Sequence, residues 1–469
     1  MSGIRTATLP RGDSGAEEVR PLKALERPLS QWWCALGWVV ATAIFVELTR
    51  LLGGVTTGDA SDSVNTTWAL AHGLPSCGYA PGNQFGLPYT GPLYPLLSGG
   101  LAALSRIGDS VPFPTKAQLG PHCSTAIAAF YHWSVRSHAL LATVQIGYVG
   151  WLVLMGGVVA LLRASGRGRC GWEPLALVII AIVPPVYMCL HEYFHPQDLT
   201  AMGLVLAGMA CVRRGWWVWA GVLLGLAFTA QQFALLAFAP LLVVAPRHRL
   251  TRFVGGALAS VVTVVGPMIA LVSTRAISVA LIGSGDSSVA NTVLGELHPQ
   301  GGLVLVLSRF APVALAMVTA WWVAQRVGPA ALEPVPLIAL LATSLSFRLI
   351  FEVNLWGYYF MAVAVLLVML DVIRGRISVL LIIWLALVVL AFSPTSSGVD
   401  AFRTATPLWL PLWLWQLVLA PIAVALAASA LVSWVRIRPR VGRSELPLDH
   451  RKPSPQMGSA GLVSETGGL

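Results

Sequence analysis

The segment HEYFHPQD, His191 to Asp198, contains HExxH, a pattern that sets two imidazoles one helical turn apart to hold zinc, with a glutamate beside them as base. That chemistry needs His191 and His195 on one helix, and Pro196 disfavours helical backbone at His195. No further histidine follows at the spacing of the extended zinc-protease motif. The other reading is a polar turn in which His191, His195 and Asp198 line a cavity. A second group, FRLIFEVNLWGYYF, offers Arg348, Glu352, Asn354, Tyr358 and Tyr359, and Arg309 stands near the start of another apolar run. Arginine's planar fork matches phosphate oxygens, tyrosines pack sugar faces, and a carboxylate can take a proton from an attacking hydroxyl. Each feature also has a plainer account. Arg348 and Glu352 are spaced as a helical ion pair, and the aromatic residues suit a membrane-interface belt.

Two more groups of polar residues border apolar runs. GDASDSVNTTWALAHG carries Asp59, Asp62 and His72, and WVWAGVLLGLAFTAQQFALLAFAPLLV is interrupted by Gln231 and Gln232. Ionisable side chains near apolar spans cost about 2.5–3.5 kcal/mol each at a helix centre, so a set of them on one side implies a polar cavity.

The elements that must position these residues follow from composition. The 469 residues are 56% hydrophobic and 11% charged, with mean hydropathy +0.74. That excludes an ordinary water-soluble domain and predicts an all-α, polytopic transmembrane bundle. About twelve apolar segments are expected, near 31–53, 139–162, 174–190, 199–212, 217–230, 233–246, 253–273, 303–324, 335–347, 358–372, 377–393 and 410–435.

The net charge of +10 does not point to nucleic acid, because most of the 30 lysines and arginines fall in alternate connections, the positive-inside pattern. Residues 1–30 and 436–469 are then a cytoplasmic basic segment and a disordered cytoplasmic tail, flanking a membrane domain over 31–435. Residues 54–138 form a long first external loop with amphipathic pieces at 62–72 and 92–107. Its two cysteines, Cys77 and Cys123, stand outside the reducing cytosol as a disulfide or as two free thiols. Basic residues on both flanks of the Gln231-Gln232 run require an even number of crossings, and each arm spans only about 21 Å at 1.5 Å per residue, so the chain should turn within the membrane.

The long first external loop with early aspartates, the HPxD turn and AGxxxGLA running into a polar break together resemble the GT-C glycosyltransferases. More narrowly, they resemble the polyprenyl-phosphate-sugar-dependent mannosyl- and arabinofuranosyltransferases of actinobacterial envelopes. The resemblance covers most of 31–435 and implies inverting transfer of mannose or arabinofuranose on the outer face of the cell membrane. The donor would be a polyprenyl-phosphate sugar and the acceptor an envelope lipid or glycan, with no cofactor and no nucleic-acid partner. It implies Asp59 or Asp62 as general base, followed by the AL/LxxG pattern of Ala69 to Gly73. It also implies Glu352, Asn354, Tyr358 and Tyr359 as substrate-binding groups with Arg348 as a phosphate ligand, and the outer-cavity reading of the residues adds His72, His191, His195, Asp198, Gln231, Gln232 and Arg309. The chain departs from the family in carrying Gln231-Gln232 where many relatives have lysine, and in lacking a tyrosine shortly after the first aspartate. A transporter or flippase of lipid-linked intermediates, a zinc intramembrane protease and a non-catalytic scaffold are the rival readings.

Overall fold

The computed structural model describes residues 22–51, 61–79, 91–105, 138–166, 172–191, 194–272, 274–282, 292–296, 302–392 and 410–437. Among them every regular element is helical. The helices are α1 (Leu22–Leu51), α2 (Ser61–Ala71), α3 (Leu93–Leu104), α4 (His138–Ala164), α5 (Trp172–Ile182), α6 (Pro184–His191), α7 (Pro196–Arg213) and α8 (Trp217–Ala230). They continue with α9 (Leu235–Val244), α10 (Arg247–Leu271), α11 (Thr274–Ile282), α12 (Gly302–Val327), α13 (Pro334–Phe351), α14 (Met361–Arg374), α15 (Val379–Phe392) and α16 (Leu412–Ile437).

The apolar segments expected from the sequence fall on these helices, that at 174–190 divided between α5 and α6, but fewer of them suffice to cross a bilayer. Seven helices of the described chain are long and apolar enough, and an eighth span arises if α5 and α6 count as one, bent by 63°. Pro184 and Pro185 open α6, and each withholds the amide that would have carried the helix across Val183. The expected number of about twelve included α8, α9 and α15, which are apolar but short, and α7, which begins Pro-Gln-Asp. Within residues 54–138, expected as an external loop, α2 and α3 fall where the amphipathic pieces were expected. Residues 52–60, 80–90 and 106–137 lie outside the described chain, as do 1–21 and 438–469.

Small residues set how the helices pack. In lipid no hydrophobic force drives helix against helix, so close backbone approach must supply the contact. A Cβ on Gly157 of α4 would stand 2.2 Å from the carbonyl oxygen of Gly203 on α7, and one on Gly203 would stand 2.4 Å from that of Val153. Gly147 meets Phe194 and Gly150 meets Pro196, so α4 and α7 run parallel in this register. The turn before α7 therefore sits nine to twelve residues along α4, roughly 14–18 Å below that helix's start at 1.5 Å per residue.

The same logic applies to α8 and α10. Gly221 of α8 meets the Phe253 carbonyl, Gly225 meets Ala257 and Ser260, and Gly256 meets the Val218 carbonyl, again a parallel register. Since α8 and α10 start on the same side, the intervening chain through α9 must return to that side. The out-and-back course expected from the flanking arginines is thus the observed one.

At the opposite end from the recessed turn, an ion pair between an exposed arginine and a buried carboxylate ties three helices. Arg163 of α4 donates from Nε and from NH2 to the two oxygens of Glu173, at 2.9 and 3.1 Å, and the Cys34 thiol of α1 donates to the same carboxylate. Glu173 is 1% exposed, a burial that a carboxylate tolerates only with such a two-pronged partner.

Candidate functional site

The site is built first from the end of α13. Arg348 lies in its last turn, the helix stops at Phe351, and Glu352 follows in extended backbone. The Arg348 Nε–H donates to Glu352 Oε2 at 2.7 Å, while Arg309 of α12 approaches Oε1 at 3.8 Å. The Arg348 guanidinium also lies 4.4 Å from the Tyr359 ring centroid and 5.7 Å from that of Phe233. Two aromatic faces and one carboxylate therefore hold a cation in an apolar setting, where it would otherwise be strongly disfavoured.

The bent connection from Glu352 to Trp356 is pinned from behind. Thr292 Oγ1 donates to the Val353 carbonyl at 2.6 Å. Gln416 of α16 donates to the Leu349 and Ile350 carbonyls, at 2.8 and 3.2 Å, and accepts from the Val293 amide. These two carbonyls are among those a helix C-terminus leaves without an intrahelical partner, so Gln416 acts as a cap supplied from another helix. Asn354 is buried in the same stretch.

The second component is the turn before α7. Helix α6 ends at His191, Phe194 adopts φ +41°, and His195 has φ −113° and ψ 61°, with Pro196 opening α7. The two histidines of HExxH are thus not on one helical turn, and the spacing that a zinc protease requires is broken at the positive-φ residue and the proline. The His191 side chain, Glu192 and Tyr193 lie outside the described residues.

His195 instead stacks on Tyr358, with centroids 4.1 Å apart and planes 14° apart, and Tyr358 meets Tyr359 edge to face at 4.6 Å. Its Nδ1 is 2.7 Å from Gln197 Nε2, the arrangement of an amide donor and an imidazole acceptor, and 3.9 Å from Asp198 Oδ2. Asp198 is 3% exposed and hydrogen-bonded to the Gln231 side chain, with Arg348 near enough to attract it electrostatically. Its Oδ2 has no hydrogen-bond partner among the described residues.

The third component is the break between α8 and α9. Gln231 is extended, its side chain accepts from the Gln232 amide, and a short 3-10 turn over Gln232–Ala234 leads into α9. Here a cavity of about 270 Å³ opens, lined by apolar residues such as Phe228, Phe233 and Leu236 and also by Gln232, Arg309, Arg348 and Glu352. The segment just before α3 reaches this break, because Gly91 leaves room for only a hydrogen where a Cβ would stand 2.2 Å from the Thr229 carbonyl oxygen.

Of the residues singled out in the sequence, His195, Asp198, Gln231, Gln232, Arg309, Arg348, Glu352, Tyr358 and Tyr359 are joined by these contacts into one cluster. His72 is not joined to it by any contact described above. It is exposed at the end of α2, with Nδ1 on the Trp68 carbonyl at 2.9 Å. Asp62 is the second residue of α2, its side chain outside the described residues, and Asp59 lies wholly outside them. Cys77 is disulfide-bonded, and Cys123 lies outside the described residues.

Sequence reasoning missed Gln416, Thr292, Phe233 and Gly91. Only Gln416 carried a signal, as a lone amide inside the apolar run LWLWQLVLAP. The chain matches no protein-family profile, no curated protein and no solved structure.

Proposed function

We propose that the chain is a membrane glycosyltransferase of the GT-C type. It moves mannose or arabinofuranose from a polyprenyl-phosphate donor to an envelope lipid or glycan acceptor on the outer face of the cell membrane. The observation that carries this reading is the apolar cavity beside Gln232 with Arg309 and Arg348 in its lining, a shape and charge suited to an anion bearing a hydrocarbon tail.

In the proposed reaction the acceptor hydroxyl gives its proton to Asp59 or Asp62, and its oxygen bonds to the anomeric carbon with inversion. The bond from that carbon to the phosphate oxygen breaks, and the electron pair leaves with polyprenyl phosphate. Arg309 and Arg348 meet the charge that grows on the leaving phosphate. Tyr358 and Tyr359, packed on His195 and on Arg348, hold those two side chains in place, and the approach of Gly91 to the break supports a route for the carboxylates of the preceding segment to the same cavity.

The test is transfer of labelled sugar from polyprenyl-phosphate mannose and polyprenyl-phosphate arabinose in membranes carrying the protein. Expected is a labelled lipid or glycan that falls at least about 100-fold in the joint variant Asp59→Asn, Asp62→Asn. Unchanged transfer in that variant would overturn the mechanism. Movement of the lipid-linked sugar across the membrane with no new glycosidic bond would instead identify a flippase.

A further inference from the structure

A second cavity lies at the other end of α8, away from the cluster. It has a volume of about 360 Å³ and is lined by Gly215, Trp216, Trp217, Trp219, Arg249 and Arg252, together with Val218. Its floor follows from the packing already described. Gly215, at φ +75°, turns the chain tightly from α7 into α8, and Gly256 brings α10 against the Val218 carbonyl. Trp217 is buried edge-on against Phe253, while Trp216 and Trp219 are 53% and 61% exposed.

The charge here is one-sided. Arg214 lies over the Trp216 ring at 5.4 Å, and Arg249 donates to His248 at 2.9 Å and to the Gly215 carbonyl at 3.4 Å. No carboxylate among the described residues pairs with Arg214, Arg247, Arg249 or Arg252. Arg213, by contrast, turns away to the Leu332 carbonyl. A basic sequence loop alone would be explained by the positive-inside rule. A concave groove in which two arginines and two outward indoles face one space is more specific than that rule requires.

We propose that this groove binds the phosphodiester headgroup of an anionic glycerophospholipid from the cytoplasmic leaflet. Guanidinium forks take the phosphate oxygens, and the indoles lie against the glycerol and upper acyl chains, where amphipathic rings partition. The proposal depends on the membrane orientation but on no reaction at the outer cluster.

The experiment measures binding of dioleoyl phosphatidylglycerol to the purified full chain by native mass spectrometry, with dioleoyl phosphatidylcholine as the neutral reference. The joint variant Arg249→Gln, Arg252→Gln should bind phosphatidylglycerol at least about tenfold more weakly, with phosphatidylcholine unchanged. The joint variant Arg326→Gln, Arg436→Gln, which removes equal charge elsewhere, should bind as the parent does. Equal losses in both variants would show bulk electrostatic attraction and overturn the site, as would full retention in the first. Displacement of the lipid by millimolar inorganic phosphate would overturn the lipid assignment in favour of a free-anion site.

Discussion

Arg348 is the residue on which the cluster turns, because it touches Glu352, Tyr359 and Phe233 and interacts electrostatically with Asp198. Removing it leaves Glu352 with Arg309 at 3.8 Å but without its 2.7 Å partner, and breaking a buried pair costs up to about 3–5 kcal/mol. Arg348→Ala should therefore lower thermal stability in detergent and reduce sugar transfer about 10²–10³-fold. The joint change Arg309→Leu, Arg348→Met, Glu352→Leu, which removes all three charges together, separates these effects. It should recover stability, since well-packed apolar residues often replace a buried pair at no loss, yet leave transfer abolished. Recovery of transfer along with stability would reduce Arg348 to a structural part. The residue types and their helical spacing were legible in the sequence, and so was the possibility of a simple Arg348–Glu352 pair. The pairing is real, but the spacing did not reveal that Arg309 comes to the same carboxylate from another helix.

At the scale of elements, the site depends on how helices end and how closely they approach. Gln416 caps α13 from α16, so Gln416→Leu should leave the Leu349 and Ile350 carbonyls without their donor and lower stability by about 1–3 kcal/mol. Because those carbonyls adjoin the turn that carries Glu352, transfer should fall further than stability does. Equal behaviour of Gln416→Leu and the parent in a thermal shift assay would refute the cap. Adjacent glycines on α10 give a sharper test of packing. A Cβ on Gly256 would stand 2.3 Å from the Val218 carbonyl oxygen, whereas one on Gly255 meets nothing within 4 Å. Gly256→Ala should destabilise by about 1–3 kcal/mol through overpacking, and Gly255→Ala should be neutral or mildly stabilising. The HExxH pattern also belongs to this scale. The pattern is a statement about letters, and its chemistry needs a continuous helix that Pro196 and the positive φ of Phe194 prevent.

For the whole molecule, the bundle carries the Arg348–Glu352 cluster beside a recessed turn and a basic groove at the far end of α8. The proposed orientation places His72 outside and Arg376 inside, and both are exposed. In a chain freed of its native cysteines other than Cys77 and its partner, His72→Cys should react with an impermeant maleimide on intact cells. Arg376→Cys should react only after permeabilisation, and the reverse pattern would overturn the outward placement of the cluster. Composition and the position of arginines were enough to determine an all-helical membrane protein, the approximate place of each apolar segment and the return of the chain at Gln231, since hydropathy and charge act locally along the chain. Only the tertiary structure decided which apolar helices are long enough to cross, that the HPQD turn is drawn down beside the middle of α4, and that Arg309 and Arg348 share Glu352. Those outcomes depend on backbones meeting at particular glycines and on bends at particular prolines. They are contacts between segments far apart in sequence, which no local pattern records.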